Sequence, residues 1–275
     1  MKLLIFVLFL AEFLQSYTKE PKSIESYNQM VLNIESVYNN IFSARGGSLL
    51  IGLDKFSLGL STEALDEICK ETSSLAFVTS RNGIHYVVID TCHIYKMTID
   101  GVAMTICHEI GHILAGYLRA AEGEADYYSA HICARAIWEN QPSNNKKYRE
   151  IIREFPDLQE TCNTTYQTDD RQNLCYRIAL ASLSKINQIK AIGETAETSL
   201  EAKDNSVTPM LSLTHPRAQC RLDTMINGAV CSNECDINYF PKTYQEMMSC
   251  SCENTSFDKP SEIWDGARPL CWFNK

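Results

Sequence analysis

The sequence has no run of clustered lysines or arginines. Of its 275 residues, Lys+Arg number 25 against 34 Asp+Glu, a formal net charge of -9 at pH 7 with a pI near 5.2. A nucleic-acid binder shows a basic patch or stripe, so that class is excluded as a partner. Beyond the N-terminus no apolar run reaches about 18 residues, so no membrane span is expected in a processed chain. Internal repeats and low-complexity segments are also missing, which speaks against a repeat architecture. Paired C-x-x-C motifs are absent too. The nearest patterns are C-x-x-x-C at Cys231/Cys235 and C-x-C at Cys250/Cys252, so a zinc ribbon is excluded and disulfides are the better use of the sulfur.

Cysteine itself is plentiful, with 12 residues whose density rises toward the C-terminus. The chain opens with Lys2 and an apolar run from Leu3 to Leu10 that Glu12 interrupts. That run is too short to span a bilayer and reads as a secretory signal peptide over residues 1–16, with Ser16 before the cut. An exported chain rich in cysteine is expected to form disulfides in an oxidising compartment, either the periplasm or outside the cell. The remainder divides into a main domain over 17–228 and a Cys-rich segment over 229–275 packed on it. A monomer is expected.

Periodicity gives a coarse architecture. Ile24, Tyr27, Val31, Ile34, Val37, Tyr38 and Ile41 recur at helical spacing, and the helix should end before Gly46-Gly47. A short helix is expected from Thr62 to about Cys69. Two β-rich runs flank Asn82-Gly83, a hairpin signal. Asp100 is placed to cap a helix over Gly101 to about Leu118, with a second from about Glu122 to Trp138. Gln141-Pro142 and Phe155-Pro156 break the chain, and a further helix covers Gln172 to Lys190. Thr214-His215-Pro216 reads as a helix start and Gly228 as its stop. The fold class is therefore helix-rich α+β, with a small hairpin or sheet and a disulfide-stapled C-terminal segment.

Within the first central helix, His108-Glu109-Ile110-Gly111-His112 reads H-E-x-x-H. Histidines at i and i+4 share one helix face, so both imidazoles can reach one Zn²⁺. Glu109 lies about 100° round the helix, near enough to hold the metal's water instead of binding the ion. Val102, Ile106, Ile110, Ile113, Leu114 and Tyr117 form the opposite, core-facing arc. A catalytic zinc needs a third protein ligand and an open position. Glu122-Gly123-Glu124-Ala125-Asp126 offers the ligand after a turn at Gly116: Glu122 and Asp126 share a face, so one carboxylate can bind the ion while the other orients a ligand histidine. Glu124 is the alternative ligand. His93 is a weaker one, His131 is expected at the surface, and Cys107 and Cys133 near the metal helices are read as a disulfide resource. Asn163-Thr164-Thr165 and Asn254-Thr255-Ser256 are glycosylation sequons.

In order, HEIGH, the E-x-x-x-D of Glu122 to Asp126, and His215-Pro216 followed by Arg221 resemble the HtpX-type and CAAX-prenyl-protease gluzincin metallopeptidases. The resemblance covers roughly residues 75–228. It implies a zincin-like core in which His108, His112 and Glu122 bind zinc and Glu109 is the general base. Asp126 would orient a ligand histidine, Arg221 would be a buried partner of the site's carboxylates, and His215 would approach the open metal position. The chain departs from many members in its short gap between His112 and Glu122 and in lacking embedded spans. The metzincin pattern fails, since Leu118 stands where a third histidine is required. The expected activity is zinc-dependent hydrolysis of a peptide or protein substrate, lying against the strand near Ile84–Asp90. The rival expectation is a non-catalytic, secreted, disulfide-rich binding protein on the same scaffold.

Overall fold

The computed structural model describes residues 24–53, 76–90, 96–191, 198–238, 240–252 and 266–273. The expected signal peptide, the helix after Thr62, His93, the Asn254 sequon and the cysteines at 69 and 92 lie outside the described residues. What is described is helix-rich α+β with one small sheet.

Helix α1 (Ile24–Ala44) forms where the spacing predicts it, with Tyr27, Ile34, Tyr38 and Ile41 buried on one face. Strand β1 (Ser48–Leu53) follows and is not foreshadowed by alternation, because Leu49, Leu50 and Ile51 form an unbroken apolar run. Strands β2 (Ala76–Arg81) and β3 (Ile84–Ile89) make the expected hairpin. Its two turn residues, Asn82 (φ 53°) and Gly83 (φ 78°), are both left-handed, the conformation a tight two-residue turn requires. The strand order is β1-β3-β2, with β1 parallel and β2 antiparallel to β3. β3 is thus the central strand, and both its edges are used. A substrate cannot add along Ile84–Ile89 as expected; among the described residues the outer strand of the hairpin is β2.

Helix α2 (Ile99–Leu114) carries the HEIGH segment. It starts one residue before Asp100, and Thr98 is the cap, its hydroxyl accepting from the Gly101 amide at 3.0 Å. Asp100 instead forms a two-point ion pair with buried Arg177, both contacts at 2.8 Å. The helix ends at Leu114 because Gly116 (φ 75°) takes the left-handed conformation that stops it. A 3₁₀ turn over Gly116–Leu118 then swings Tyr117 outward, so this member of the predicted core arc is 54% exposed.

The chain returns through α3 (Glu122–Tyr128), a π-helical turn (Ser129–Cys133) and α4 (Ala134–Trp138). Here a single predicted helix is interrupted by one wide turn. α2 and α3 approach closely: a Cβ on Gly111 would stand 3.0 Å from the Ala125 Cα. The Cys107–Cys133 disulfide ties the pair further along. Pro142 and Pro156 turn out to start helices, α5 (Pro142–Asn145) and α7 (Pro156–Thr165), with α6 (Tyr148–Ile151) between them. That fits proline's tolerance at a first helical position.

Helix α8 (Asp169–Ala191) packs across α2 and against α9 (Ala218–Val230). α9 begins after the Thr214-His215-Pro216 segment, which belongs to no helix. Gly228 lies inside α9 against the Tyr127 carbonyl, so it is a packing residue and not a stop. Among its described residues the C-terminal part holds one short helix, α10 (Tyr244–Ser249), and is stapled by Cys220–Cys271, Cys231–Cys252 and Cys235–Cys250. With Cys162–Cys175 and the pair above, five disulfides lie among the described residues. No described helix is long and apolar enough to cross a membrane.

Candidate metal centre

One turn of α2 presents His108 and His112 on the same face, and the α2–α3 reversal brings Glu122 opposite them. The Nε2 atoms of the two histidines are 3.2 Å apart, and Glu122 lies 3.1 Å from His108 Nε2 and 3.6 Å from His112 Nε2. A tetrahedral ion with donors at about 2.0–2.1 Å separates those donors by about 3.3 Å. These three side chains therefore form a group that could hold a metal ion.

The outer nitrogens of both rings face acceptors. His112 Nδ1 donates to the Arg119 carbonyl at 2.8 Å, in the turn that follows α2. His108 Nδ1 stands 2.7 Å from Asp126 Oδ1, a close contact that is not aligned as an ideal hydrogen bond. With protons placed on both Nδ1 atoms, each Nε2 keeps a lone pair and both face the Glu122 carboxylate. Three lone-pair donors at such distances repel unless a cation lies among them. Without a metal, a proton serves instead. Burial disfavours the charged His112 ring, but Glu122, the Arg119 carbonyl and the Glu109 charge outweigh it and raise the His112 pKa.

The carboxylates are strongly differentiated. Burial works against an ionised Glu122, yet its two histidine neighbours and Arg221 hold it well below the usual carboxylate range. Asp126 is fully buried and likewise held ionised against burial by Arg221, Lys185 and His108. Arg221 grips it with a fork, Nε to Oδ2 at 2.6 Å and Nη2 to Oδ1 at 3.0 Å, and also faces Glu122 at 3.8 Å. Arg221 therefore contacts two carboxylates of the group. Glu124 does not join the group. It turns to the other side of α3 and pairs with buried Arg268, at 2.5 and 2.9 Å, so the alternative ligand is corrected to a structural ion pair.

Glu109 is buried beside the two histidines on α2. His215, from the non-helical segment before α9, sets its Nε2 3.3 Å from Glu122 and is 72% exposed, so it stands at the solvent side of the group. His131 is the reverse of expectation: it is 3% exposed, within the π-helical turn, with Nε2 3.0 Å from the Cys250 carbonyl. Burial and nearby arginines push its pKa well down. His85 sits on β3 against Phe42 and the Ser80 hydroxyl, away from the group.

Two participants were not singled out from the sequence. The Arg119 carbonyl leaves no side-chain signal. Lys185 does leave one, since it falls on the stripe Ile178, Ala181, Ser182 and Lys185 of α8, every member of which is buried. A lysine on an apolar-facing stripe marks a buried partner. Comparison with family models, with curated proteins and with solved structures finds no match.

Proposed function

We propose that the chain is a zinc-dependent endopeptidase with a zincin-like, gluzincin-type core. The observation that carries this is the convergence of His108 Nε2, His112 Nε2 and Glu122 at near-tetrahedral spacing, with His112 Nδ1 bonded to the Arg119 carbonyl and His108 Nδ1 facing Asp126. Two imidazoles and one carboxylate are the donor set of a catalytic zinc that keeps an open position. Such an ion supplies a Lewis acid for a scissile carbonyl and lowers the pKa of water to near neutrality.

The protein's own groups supply the rest. Glu109, one residue after His108, takes the proton from water and passes it to the leaving amine. His215, exposed beside Glu122, is placed to donate to the charge that develops on the carbonyl oxygen. Asp126 and the Arg119 carbonyl hold the two imidazoles in register. The antiparallel β2 packs on α2 and is an outer strand of the sheet among the described residues, so an extended substrate adds alongside it. Five disulfides and the apolar N-terminal run support folding in an oxidising compartment, secreted or periplasmic.

Elemental analysis of the purified, oxidised chain is the first test. About one zinc per chain, lost in His112→Ala, is expected. Glu109→Gln should then keep the metal and lose essentially all turnover of a mixed peptide library. A folded wild-type chain without zinc overturns the proposal, and a fully active Glu109→Gln overturns the role of Glu109.

A further inference from the structure

We infer that Lys185 is a positioning residue of the metal site, acting on His108 through Asp126; the inference rests on the zinc reading above. Lys185 comes from α8, 59 positions along the chain from Asp126, and its Nζ lies 2.8 Å from Asp126 Oδ1 with both side chains almost fully buried. That single oxygen faces three nitrogens: Lys185 Nζ, Arg221 Nη2 at 3.0 Å and His108 Nδ1 at 2.7 Å. One carboxylate thus joins α2, α3, α8 and α9 directly behind a metal-facing imidazole.

The two cations on Asp126 are not equivalent. Arg221 is shared, since its Nη2 also faces Glu122 at 3.8 Å. The Lys185 ammonium makes its ion pair with Asp126 alone among the described residues. Whatever draws Arg221 toward Glu122, Lys185 keeps the Asp126 oxygen at His108 Nδ1. Stability alone does not explain a lysine there, because a buried ion pair gains little over a well-packed apolar side chain of the same volume. Lys185→Met also leaves Asp126 gripped by the Arg221 fork, so the variant does not strand an unpaired charge.

The sign of the effect separates positioning from simple electrostatics. Removing a positive charge near the site would, by Coulomb's law, tighten the binding of a cation. Loss of a group that orients a ligand histidine weakens it, typically about 10–100-fold. The test uses the full oxidised chain, with zinc affinity measured by competition against a chromophoric chelator and the visible spectrum recorded after cobalt substitution. Lys185→Met should lower zinc affinity about tenfold or more and alter the cobalt spectrum. In an Asp126→Asn background the same substitution should add no further loss, because the path runs through Asp126. Lys185→Gln, which keeps a polar side chain, is read in the same way if the methionine variant fails to fold. Unchanged or tighter zinc binding with a superimposable cobalt spectrum overturns the inference while leaving the zinc site standing. An undiminished further loss in the Asp126→Asn background also overturns it. A wild-type chain that binds neither metal overturns the peptidase reading and this inference with it.

Discussion

Gly123, the residue after Glu122, decides how the C-terminal segment meets the metal-facing helix. A Cβ there would lie 2.1 Å from Trp272 Cδ2 and 2.3 Å from Cε2. Trp272 is fully buried, and its indole N–H donates to Thr224 Oγ1 at 2.9 Å, so the ring has no free direction in which to retreat. Relief to ordinary van der Waals distance needs a shift of more than 1 Å, roughly the scale at which overpacked cores lose about 1–3 kcal/mol. The strained Trp272–Thr224 hydrogen bond adds about 1 kcal/mol, and the helix preference of alanine over glycine returns about 1 kcal/mol. The net expectation for Gly123→Ala is a destabilisation of about 1–3 kcal/mol, roughly 2–12 °C in Tm for a chain of this size. Thermal unfolding of the oxidised protein, followed by circular dichroism, measures it. The decisive control is Trp272→Ala, itself costly at about 3–5 kcal/mol. In that background Gly123→Ala should reverse sign and stabilise by up to about 1 kcal/mol. A wild-type Tm for Gly123→Ala, or a cost that persists without Trp272, refutes the packing argument.

Arg268→Met should destabilise by about 3–5 kcal/mol because it removes the two-point ionic partner of the buried Glu124 carboxylate, whereas Arg268→Met with Glu124→Leu should recover most of it; denaturant melts compare the two. Asp223 is buried and its pKa is pushed up to about 6 by desolvation, only partly offset by the Asp204 amide and Gln219. Its stabilising contribution is therefore full below the ordinary value of 3.8 and is lost as pH rises through about 6. Relative to Asp223→Asn, which cannot ionise, the wild type should lose about 1–3 kcal/mol between pH 4 and 7, and a constant Tm difference would contradict the assignment. Chelation of zinc should lower Tm by an amount set by mass action, about 4 kcal/mol of stability when free zinc had stood a thousandfold above Kd. A melting curve indifferent to chelator would count against any bound metal.

Where a structural feature depends on local spacing, the sequence shows it plainly. α1, the Asn82-Gly83 hairpin, the α2–α3 reversal and the His108/His112 pair all follow from residues close along the chain, whereas the choice between Glu122 and Glu124 opposite that pair stays open in the sequence. Features that depend on a distant partner are hidden. Thr98 rather than Asp100 caps α2 because Arg177, 77 positions away, claims the Asp100 carboxylate. Glu124 and Asp126 are both acidic and two residues apart, and nothing local tells that one faces Arg268 and the other Arg221 and Lys185. β1 pairs in parallel with β3, which turns the apparent substrate edge into the middle of a sheet. His131 reads as a surface residue until the π-helical turn and the Cys250 carbonyl bury it.

The C-terminal segment reaches three of the stretches of chain that frame the candidate metal group: α3, α9 and the stretch before His215. Trp272 lies on Gly123 and Arg268 pairs with Glu124, so the two residues that follow Glu122 on α3 are both held from outside. Cys271 is bonded to Cys220, immediately before Arg221 on α9. The amides of Thr208 and Ser212, in the segment leading to His215, donate to the carbonyls of Leu270 and Trp272 at 2.9 Å. The third donor, the arginine behind it and the exposed histidine before it are therefore each braced by residues 266–273. The arrangement makes the geometry of the group depend on the Cys220–Cys271 bond. Such a bond, closing a loop of 51 residues, contributes about 2–5 kcal/mol by restricting the unfolded chain. The Cys220–Cys271 bond and the candidate metal group are thus joined through residues 266–273, and such a bond persists in an oxidising compartment.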